Sequence, residues 1–256
     1  MGKKYKIVII GSGNVAEHLL RAFKNSINSE VIQIYSRNTT TGKNLSNSFE
    51  VELTNSIDDI KNADLYLISI SDTAISELSS SLPFSNKLVA HTSGATSIES
   101  INSANRQAVF YPLQSFSKGK EIDFSQIPIC IEAKNSEDLQ TLTEIAKSIS
   151  NTVKSISSEQ RKYIHASAVF VNNFANHLFN IGKEIAEQNN IDFNLLKPLI
   201  RETVEKLEYK TPKEAQTGPA IRGDKETMER HLELIQNKTH KEIYKLISDS
   251  IFRTHN

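Results

Sequence analysis

A stripe of polar side chains follows one face of a helix that the sequence predicts from residue 158 to about residue 189. At ~100° per residue, four side chains return to nearly the same angle: His165, Asn172, Asn176 and Lys183. An imidazole exchanges protons near neutral pH, so His165 is a candidate general acid, and Asn172 could orient the group that is protonated. The alternative is a solvated helix face, although such a face normally carries Lys and Glu.

Further polar side chains lie where three predicted strands end. In open α/β sheets, ligands bind beyond the carboxyl ends of the strands. We therefore expect Ser71 to contact a cofactor, and His91 and Gln114 to contact a substrate. Ser93 would orient the reacting group together with Asn172. A purely turn-forming role is the alternative for Ser93.

The segment TGPAIRGD, residues 217–224, is rich in glycine and proline and predicts a shaped loop between helices. Within it, the guanidinium of Arg222 could bind the carboxylate of a substrate through two parallel hydrogen bonds. Asp224 is expected to cap the helix that follows.

These side chains need a scaffold, and the first elements of the chain define it. The apolar strand at residues 6–10 runs directly into GSGNVA, residues 11–16, and a helix and a second strand follow. Glycines at these positions allow a tight turn and let main-chain N–H groups approach a dinucleotide pyrophosphate. The residues predicted to bind it are Gly11, Ser12, Gly13, Asn14 and Val15.

The end of the second strand indicates which dinucleotide is bound. An NAD site usually places an acidic residue there, whereas a 2′-phosphate favours an arginine. The sequence reads Tyr35-Ser-Arg-Asn38 with no acid, so we predict NADP as the cofactor, with Ser36 and Arg37 on its 2′-phosphate. The alternative is that Arg37 is an ordinary surface charge.

The order of the predicted elements defines the fold class. Apolar strands alternate with helices up to about residue 157, and the remainder is helical, with capping signals at Ser157 or Ser158 and at Thr211. We predict an α/β fold: a doubly wound, mostly parallel Rossmann sheet followed by an all-α C-terminal domain. The predicted domains are residues 1–157 and 158–256.

Composition excludes several classes of partner. The 30 basic and 30 acidic residues cancel, so we expect no nucleic-acid partner and no membrane association. No apolar run has the length of a membrane span, and the first strand begins too early for a signal peptide. The one cysteine, Cys130, cannot form a disulfide within the chain. We therefore expect a cytoplasmic protein, and we predict no metal site.

Seven segments together resemble a known family: GSGNVA, YSRN, HTSG, YPLQSF, HASAVFVNNF, LLKPLIRETVE and TGPAIRGD. They resemble Rossmann-like NADP oxidoreductases that carry a C-terminal helical domain of unknown function. More distantly, the chain is similar to pyrroline-5-carboxylate reductase, ketopantoate reductase and the β-hydroxyacid dehydrogenases. The resemblance implies an NADP-binding domain, a helical domain used for dimerisation, and a cleft between them, but it supplies no substrate.

Two departures from these families leave the proton donor open. The β-hydroxyacid dehydrogenases pair a Lys with an Asn one helical turn on, whereas His165 and Asn172 lie two turns apart. Many members of the nearer family place His before Pro-Leu-Gln, where this chain has Tyr111.

The sequence thus favours an NADP-dependent reductase or dehydrogenase that transfers hydride between nicotinamide and a small C=O or C=N substrate bearing a carboxylate. Two alternatives stay open: a non-catalytic NADP-binding sensor or assembly protein, and reduction by a deazaflavin with NADP as partner. We also expect a homodimer formed through the helical half, where residues 169–178 are strongly apolar.

Overall fold

The computed structural model describes residues 4–255. The chain forms two compact units, of which the first ends at Val169 and the second begins at Phe170.

An eight-stranded sheet forms the centre of the first unit. Its strands are β1 (Tyr5–Ile10), β2 (Ser29–Tyr35), β3 (Glu52–Thr54), β4 (Leu65–Ile68), β5 (Leu88–His91), β6 (Arg106–Pro112), β7 (Ile129–Ala133) and β8 (Val153–Ser155). They lie in the order β3-β2-β1-β4-β5-β6-β7-β8, and all neighbours pair in parallel except β6 and β7. This confirms the doubly wound, mostly parallel Rossmann sheet. The order reverses between β1 and β4, where such sheets bind ligands.

Apolar side chains cover both faces of this sheet, as a parallel sheet requires. Along β1, Ile7 and Ile9 belong to one buried cluster, whereas Val8 and Ile10 belong to another. The helices of the unit are α1 (Asn14–Lys24), α2 (Thr39–Phe49), α3 (Ile75–Ser80), α4 (Ser136–Lys147) and α5 (Ser158–Ala168). The packed core therefore positions the strand ends and the loops that begin there.

Helices make up the second unit, as predicted. They are α6 (Ala175–Gln188), α7 (Lys197–Glu205), α8 (Pro212–Ala215), α9 (Lys225–Leu234) and α10 (Lys238–His255). The capping signals are confirmed: the Thr211 and Glu214 side chains form a reciprocal capping box at α8, and Asp224 accepts from the Thr227 amide at α9. No helix in the described part of the chain is both long and apolar enough to cross a membrane.

The regular helix predicted from residue 158 to about residue 189 is interrupted. Residues Val169–Phe174 form a π-helical segment between α5 and α6. A π-helix bonds residue i to i+5 and therefore has a wider turn than an α-helix. The ~100° spacing that placed His165 and Asn172 on one face does not hold through such a segment.

Strand β3 is the one strand of the sheet that the sequence did not indicate. It is a three-residue edge strand, Glu52–Thr54, with one charged and one hydroxyl side chain. Alternation of apolar and polar residues needs more than three positions to be recognised.

Candidate functional site

The glycine loop after β1 contains two glycines with different roles. Gly11 has φ of +129°, and a Cβ added there would lie 2.2 Å from the carbonyl oxygen of Ser69. Both the backbone and the available space therefore require glycine at this position. Gly13 is extended, with φ of −83° and ψ of −173°, and a Cβ added there would meet nothing within 4 Å. The fold of the chain does not need glycine at position 13, whereas a ligand that lies against the backbone does.

Helix α1 begins at this loop without a capping side chain. The first amides of a helix have no intrahelical partners, and the helix dipole makes its N-terminus attractive to anions. By contrast, Asn38 caps α2, Asn135 caps α4 and Ser157 caps α5. The start of α1 can therefore accept a phosphate.

Three hydroxyl groups join the glycine loop to the end of β2. The Ser12 Oγ lies 2.7 Å from the Ser36 Oγ and 2.6 Å from the Thr41 Oγ1. Ser36 is buried, and its hydroxyl also donates to the Asn38 carbonyl at 3.0 Å. The Arg37 side chain beside them is exposed. A cavity of about 210 Å³ lies against these residues, lined by Ile10, Gly11, Ser12, Tyr35, Ser36, Arg37, Asn38, Ile70 and Leu78.

A second cavity, of about 420 Å³, lies on the other side of the glycine loop and shares Ser12 with the first. Its lining includes Gly13, Asn14 and Val15 of the loop, together with Ser71 and Gln114. Asn14 donates its side-chain N–H to the Phe116 carbonyl at 3.0 Å, which ties the loop to the segment after β6.

Ser69 is a site residue that the sequence did not reveal. It directly follows β4 and lines the second cavity, and its buried hydroxyl oxygen has no hydrogen-bond partner among residues 4–255. A buried hydroxyl without a partner is unfavourable, so Ser69 is a candidate hydrogen-bonding residue for a ligand in this cavity. Together with the open space at Gly13 and the uncapped α1, it fits a dinucleotide.

His91 and Ser93 shape the loop after β5. His91 is fully buried: its Nε2 donates to the Ser97 carbonyl at 3.2 Å, and its Nδ1 accepts from the Ser93 amide at 3.2 Å. Burial, assisted by the Arg161 guanidinium, lowers the pKa of His91 to about 4, so the ring is neutral. The Ser93 hydroxyl accepts from the amides of Ala95 and Thr96. The predicted substrate roles of His91 and Ser93 stay predictions, since the contacts seen are within the loop.

His165 lies beside Tyr111 in the first unit. The Tyr111 Oη and the His165 Nδ1 are 3.5 Å apart, and the two rings meet edge to face. Tyr111 is buried at the end of β6, and burial raises its pKa, so its hydroxyl stays protonated. Gly94 packs against both rings. The sequence contained both residues but gave no sign that they meet.

An ion pair fixes α5, which carries His165. Arg161 is buried, and its Nη1 lies 2.6 Å from the Glu132 Oε2 on β7. Its other terminal nitrogen donates to the Thr96 carbonyl. Ser158 adds its amide and hydroxyl as donors to the same carboxylate, at 2.9 and 2.7 Å. These contacts hold α5 to the sheet one helical turn before His165.

Two predicted residues belong to the second unit, and both are exposed there. Asn172 lies in the π-helical segment. Arg222 precedes Gly223, whose φ of +66° confirms a shaped turn in this loop. Their assignments to a substrate stay predictions. Within the described residues, no group of three or more His, Cys, Asp or Glu side chains could hold a metal ion.

Two family descriptions match parts of the chain. Residues 5–91 match an oxidoreductase family with an NAD-binding Rossmann fold, and residues 127–251 match a domain of unknown function, DUF2520. No curated protein matches the chain.

Solved structures cover nearly its whole length. A candidate NADP oxidoreductase from Bacteroides fragilis is 36% identical with a TM-score of 0.88, and 98% of each chain is covered. A pyrroline-5-carboxylate reductase from Coxiella burnetii is 15% identical with a TM-score of 0.56, covering 99% of this chain and 98% of that one. An imine reductase from Myxococcus stipitatus, solved with NADP+, is 13% identical with a TM-score of 0.65, covering 98% and 92%. The last two share the fold alone.

Proposed function

Because the chain belongs to the family of the Bacteroides fragilis protein, with an NAD-binding Rossmann domain followed by DUF2520, we propose that it is an NADP-dependent reductase. It transfers hydride between nicotinamide and a small C=O or C=N substrate that carries a carboxylate. The observation that carries the proposal is the glycine loop, with its uncapped helix, its open space at Gly13 and the unpartnered hydroxyl of Ser69 beside it.

The choice of NADP rests on the chemistry at the end of β2. The buried Ser36 hydroxyl and the exposed Arg37 guanidinium line one cavity, and no carboxylate lies among its lining residues to repel a phosphate dianion. The amides at the start of α1 bind the pyrophosphate, and Ser71 and Gln114 line the cavity assigned to the nicotinamide half. When bound, the nicotinamide supplies or accepts the hydride.

The remaining roles belong to side chains around the substrate. His165 gives a proton to the substrate heteroatom during reduction, since an imidazole is an effective acid near neutral pH. Ser93 and Asn172 orient the reacting group, and His91 contributes through the loop that it holds in shape. Arg222 binds the carboxylate as a bidentate donor.

The second unit supports the proposal of a homodimer. Its buried apolar side chains, among the residues described, are Ile181, Ala186, Ala220 and Ile235. Large apolar side chains are exposed in greater number, including Phe170 at 70%, Leu195 at 71% and Leu246 at 72%. Exposed apolar surface of this kind marks an interface in water-soluble proteins. Light scattering at micromolar concentration tests this, and a monomer would contradict it. We further propose a cytoplasmic location, which the single cysteine, Cys130, supports.

The function is tested by following NADPH oxidation against panels of keto acids, aldehydes and imines. We expect turnover with one carboxylate-bearing class, and at least about a hundredfold lower kcat in His165→Asn. The matched control is His177→Asn, which removes an exposed imidazole from α6. Tight NADPH binding without turnover on any class would favour the non-catalytic alternative. Full turnover by His165→Asn would eliminate His165 as the proton donor.

A further inference from the structure

We infer that the Tyr111 hydroxyl holds the His165 ring in one orientation, with the ring proton on Nε2 in the free protein, and that Gly94 is glycine because this pair needs its space. Tyr111 is thus a positioning residue, and the inference rests on the proposed role of His165 as the acid.

The pair is built on two rigid elements. Tyr111 lies on β6 opposite Cys130 of β7, and it is 9% exposed. His165 lies on α5, one turn after the buried Arg161 that binds Glu132 of β7. Because both backbones are fixed to the same sheet, the 3.5 Å separation of Oη and Nδ1 follows from the fold rather than from a mobile surface contact. Catalytic hydrogen bonds are often this long before substrate binds.

The chemistry of a hydroxyl suits both protonation states of an imidazole. In the free protein the Tyr111 hydroxyl has no other hydrogen-bond partner among the described residues, so its O–H donates to Nδ1 of a neutral His165 and the ring proton is on Nε2. When His165 is an imidazolium, Nδ1–H donates to the Tyr111 oxygen instead. Tyr111 itself stays neutral, since burial raises its pKa above the ordinary value. One hydroxyl can therefore keep the ring in place through a whole proton-transfer cycle.

The proton passes from Nε2 of His165 to the heteroatom of the substrate. In a reduction, a bound dihydronicotinamide would supply the hydride, with its two electrons, to the substrate carbon, and the π pair of the C=X bond would move to the heteroatom X. The Nε2–H bond of the imidazolium breaks as the X–H bond forms, and its electron pair remains on nitrogen. The ring is then neutral with its proton on Nδ1, which still donates to the Tyr111 oxygen. A proton from water then restores the imidazolium.

Gly94 explains how the loop after β5 can lie against both rings. A Cβ added at position 94 would lie 2.6 Å from the His165 Nδ1, 2.7 Å from the Tyr111 Cζ and 2.9 Å from its hydroxyl oxygen. Gly94 does not have a positive φ, so the sign of φ does not require glycine at this position. Glycine is therefore needed here for space, and the space is occupied by the two rings whose contact we assign to function.

The inference is tested by ¹⁵N–¹H NMR of the histidine rings in the full-length protein without nucleotide, with the His165 signals assigned through His165→Asn. The wild type should show His165 as the Nε2–H tautomer. In Tyr111→Phe, the ratio of the Nε2–H to the Nδ1–H form should fall roughly tenfold. Gly94→Ala keeps the hydroxyl but displaces the rings, so it should do the same even if Tyr111→Phe does not fold. The matched control, Gly182→Ala in α6, adds a methyl group where nothing lies within 4 Å and should leave the signals unchanged.

An unchanged tautomer ratio in both Tyr111→Phe and Gly94→Ala would overturn the inference, whatever substrate is found. Once a substrate is known, Tyr111→Phe should lower kcat roughly tenfold with KM unchanged and shift the pH profile of kcat. Charged or titratable groups that act on Tyr111 are Cys130 on β7, Arg161 on α5 and Asp72 after β4, and none of them is altered in this variant. A fall in kcat without any change in the pH profile would assign Tyr111 a merely structural role. Because the NMR measurement needs no turnover, it tests the contact between Tyr111 and His165 even if the protein does not catalyse the proposed reduction.

Discussion

Arg161 on α5 and Glu132 on β7 form a buried ion pair with 2.6 Å between Nη1 and Oε2, and this pair joins the last helix of the first unit to its sheet. The Arg161 side chain is 1% exposed and that of Glu132 is 17% exposed. Since the same guanidinium also binds the Thr96 carbonyl, one residue fixes both α5 and the loop after β5.

Removing the countercharge should therefore be costly. Glu132→Gln leaves the Arg161 charge buried without its partner, and we expect a loss of about 3 kcal/mol in the free energy of unfolding. Urea titration measures it. The matched control is Glu159→Gln on α5, the helix that carries Arg161; it breaks an exposed pair with Lys162 and should cost less than ~1 kcal/mol. Equal losses in the two variants would contradict the role assigned to the buried pair.

His91 should make the stability depend on pH. Its pKa is lowered from 6.5 to about 4 by burial, so between these values the unfolded chain binds the proton that the folded chain refuses. The free energy of unfolding therefore has its full value above pH 6.5, and it decreases as the pH falls to 4 because the unfolded chain is protonated first. We expect this loss to be about 3 kcal/mol in the wild type and absent in His91→Gln. Urea titrations across this pH range measure the free energy of unfolding. If it varies with pH in the same way in both proteins, His91 does not cause the dependence.

Ser69→Ala should have opposite effects on the free and the bound protein. Removing a buried hydroxyl that has no partner among the described residues should stabilise the protein without nucleotide by up to about 1 kcal/mol. Losing the same hydroxyl should weaken NADPH binding roughly fivefold. The control is Ser79→Ala, because the buried Ser79 hydroxyl accepts from the Asn102 amide and its loss should destabilise the free protein. Thermal unfolding with and without NADPH measures both effects. Destabilisation of the free protein by Ser69→Ala would contradict the prediction.

Gly13→Ala should separate binding from folding. The backbone there is extended and the added methyl group meets nothing within 4 Å, so the thermal unfolding temperature should stay that of the wild type. The methyl group would stand where phosphate approaches the main chain, and NADPH affinity should fall roughly tenfold to a hundredfold. Calorimetric titration measures the affinity, and Gly182→Ala serves as the control. If Gly13→Ala binds NADPH with the affinity of the wild type, no phosphate lies against the main chain at this position.

The sequence predicted those parts of the fold that local patterns determine. The apolar strand, the GSGNVA turn and the following helix lie within a few residues of one another, so their hydrophobic period and glycine spacing identified the Rossmann sheet. Strand β3 was not predicted, because three edge residues are too few to show a periodic pattern. The π-helical segment was not predicted either, because a helical pattern assumes one constant angle per residue.

The sequence indicates those parts of the candidate site that lie within one segment, and it does not indicate the contacts that tertiary packing creates. Tyr111 and His165 are 54 residues apart, and only the packing of α5 on the sheet brings them together. A sequence does not indicate that Arg161 is buried, because charged side chains are rarely fully buried unless they are paired. The unpartnered Ser69 hydroxyl is a property of the folded state, since a sequence cannot show which polar groups lack partners.

Calorimetric titration of the wild type and of Arg37→Ala with NADPH and NADH tests the assignment of NADP as the cofactor. We expect the wild type to bind NADPH at least about tenfold more tightly than NADH, since a bidentate guanidinium contact to phosphate is strong. Arg37→Ala should lose this preference while its affinity for NADH stays the same. Equal or tighter binding of NADH by the wild type, or no binding of either nucleotide, would contradict the assignment of NADP as the cofactor.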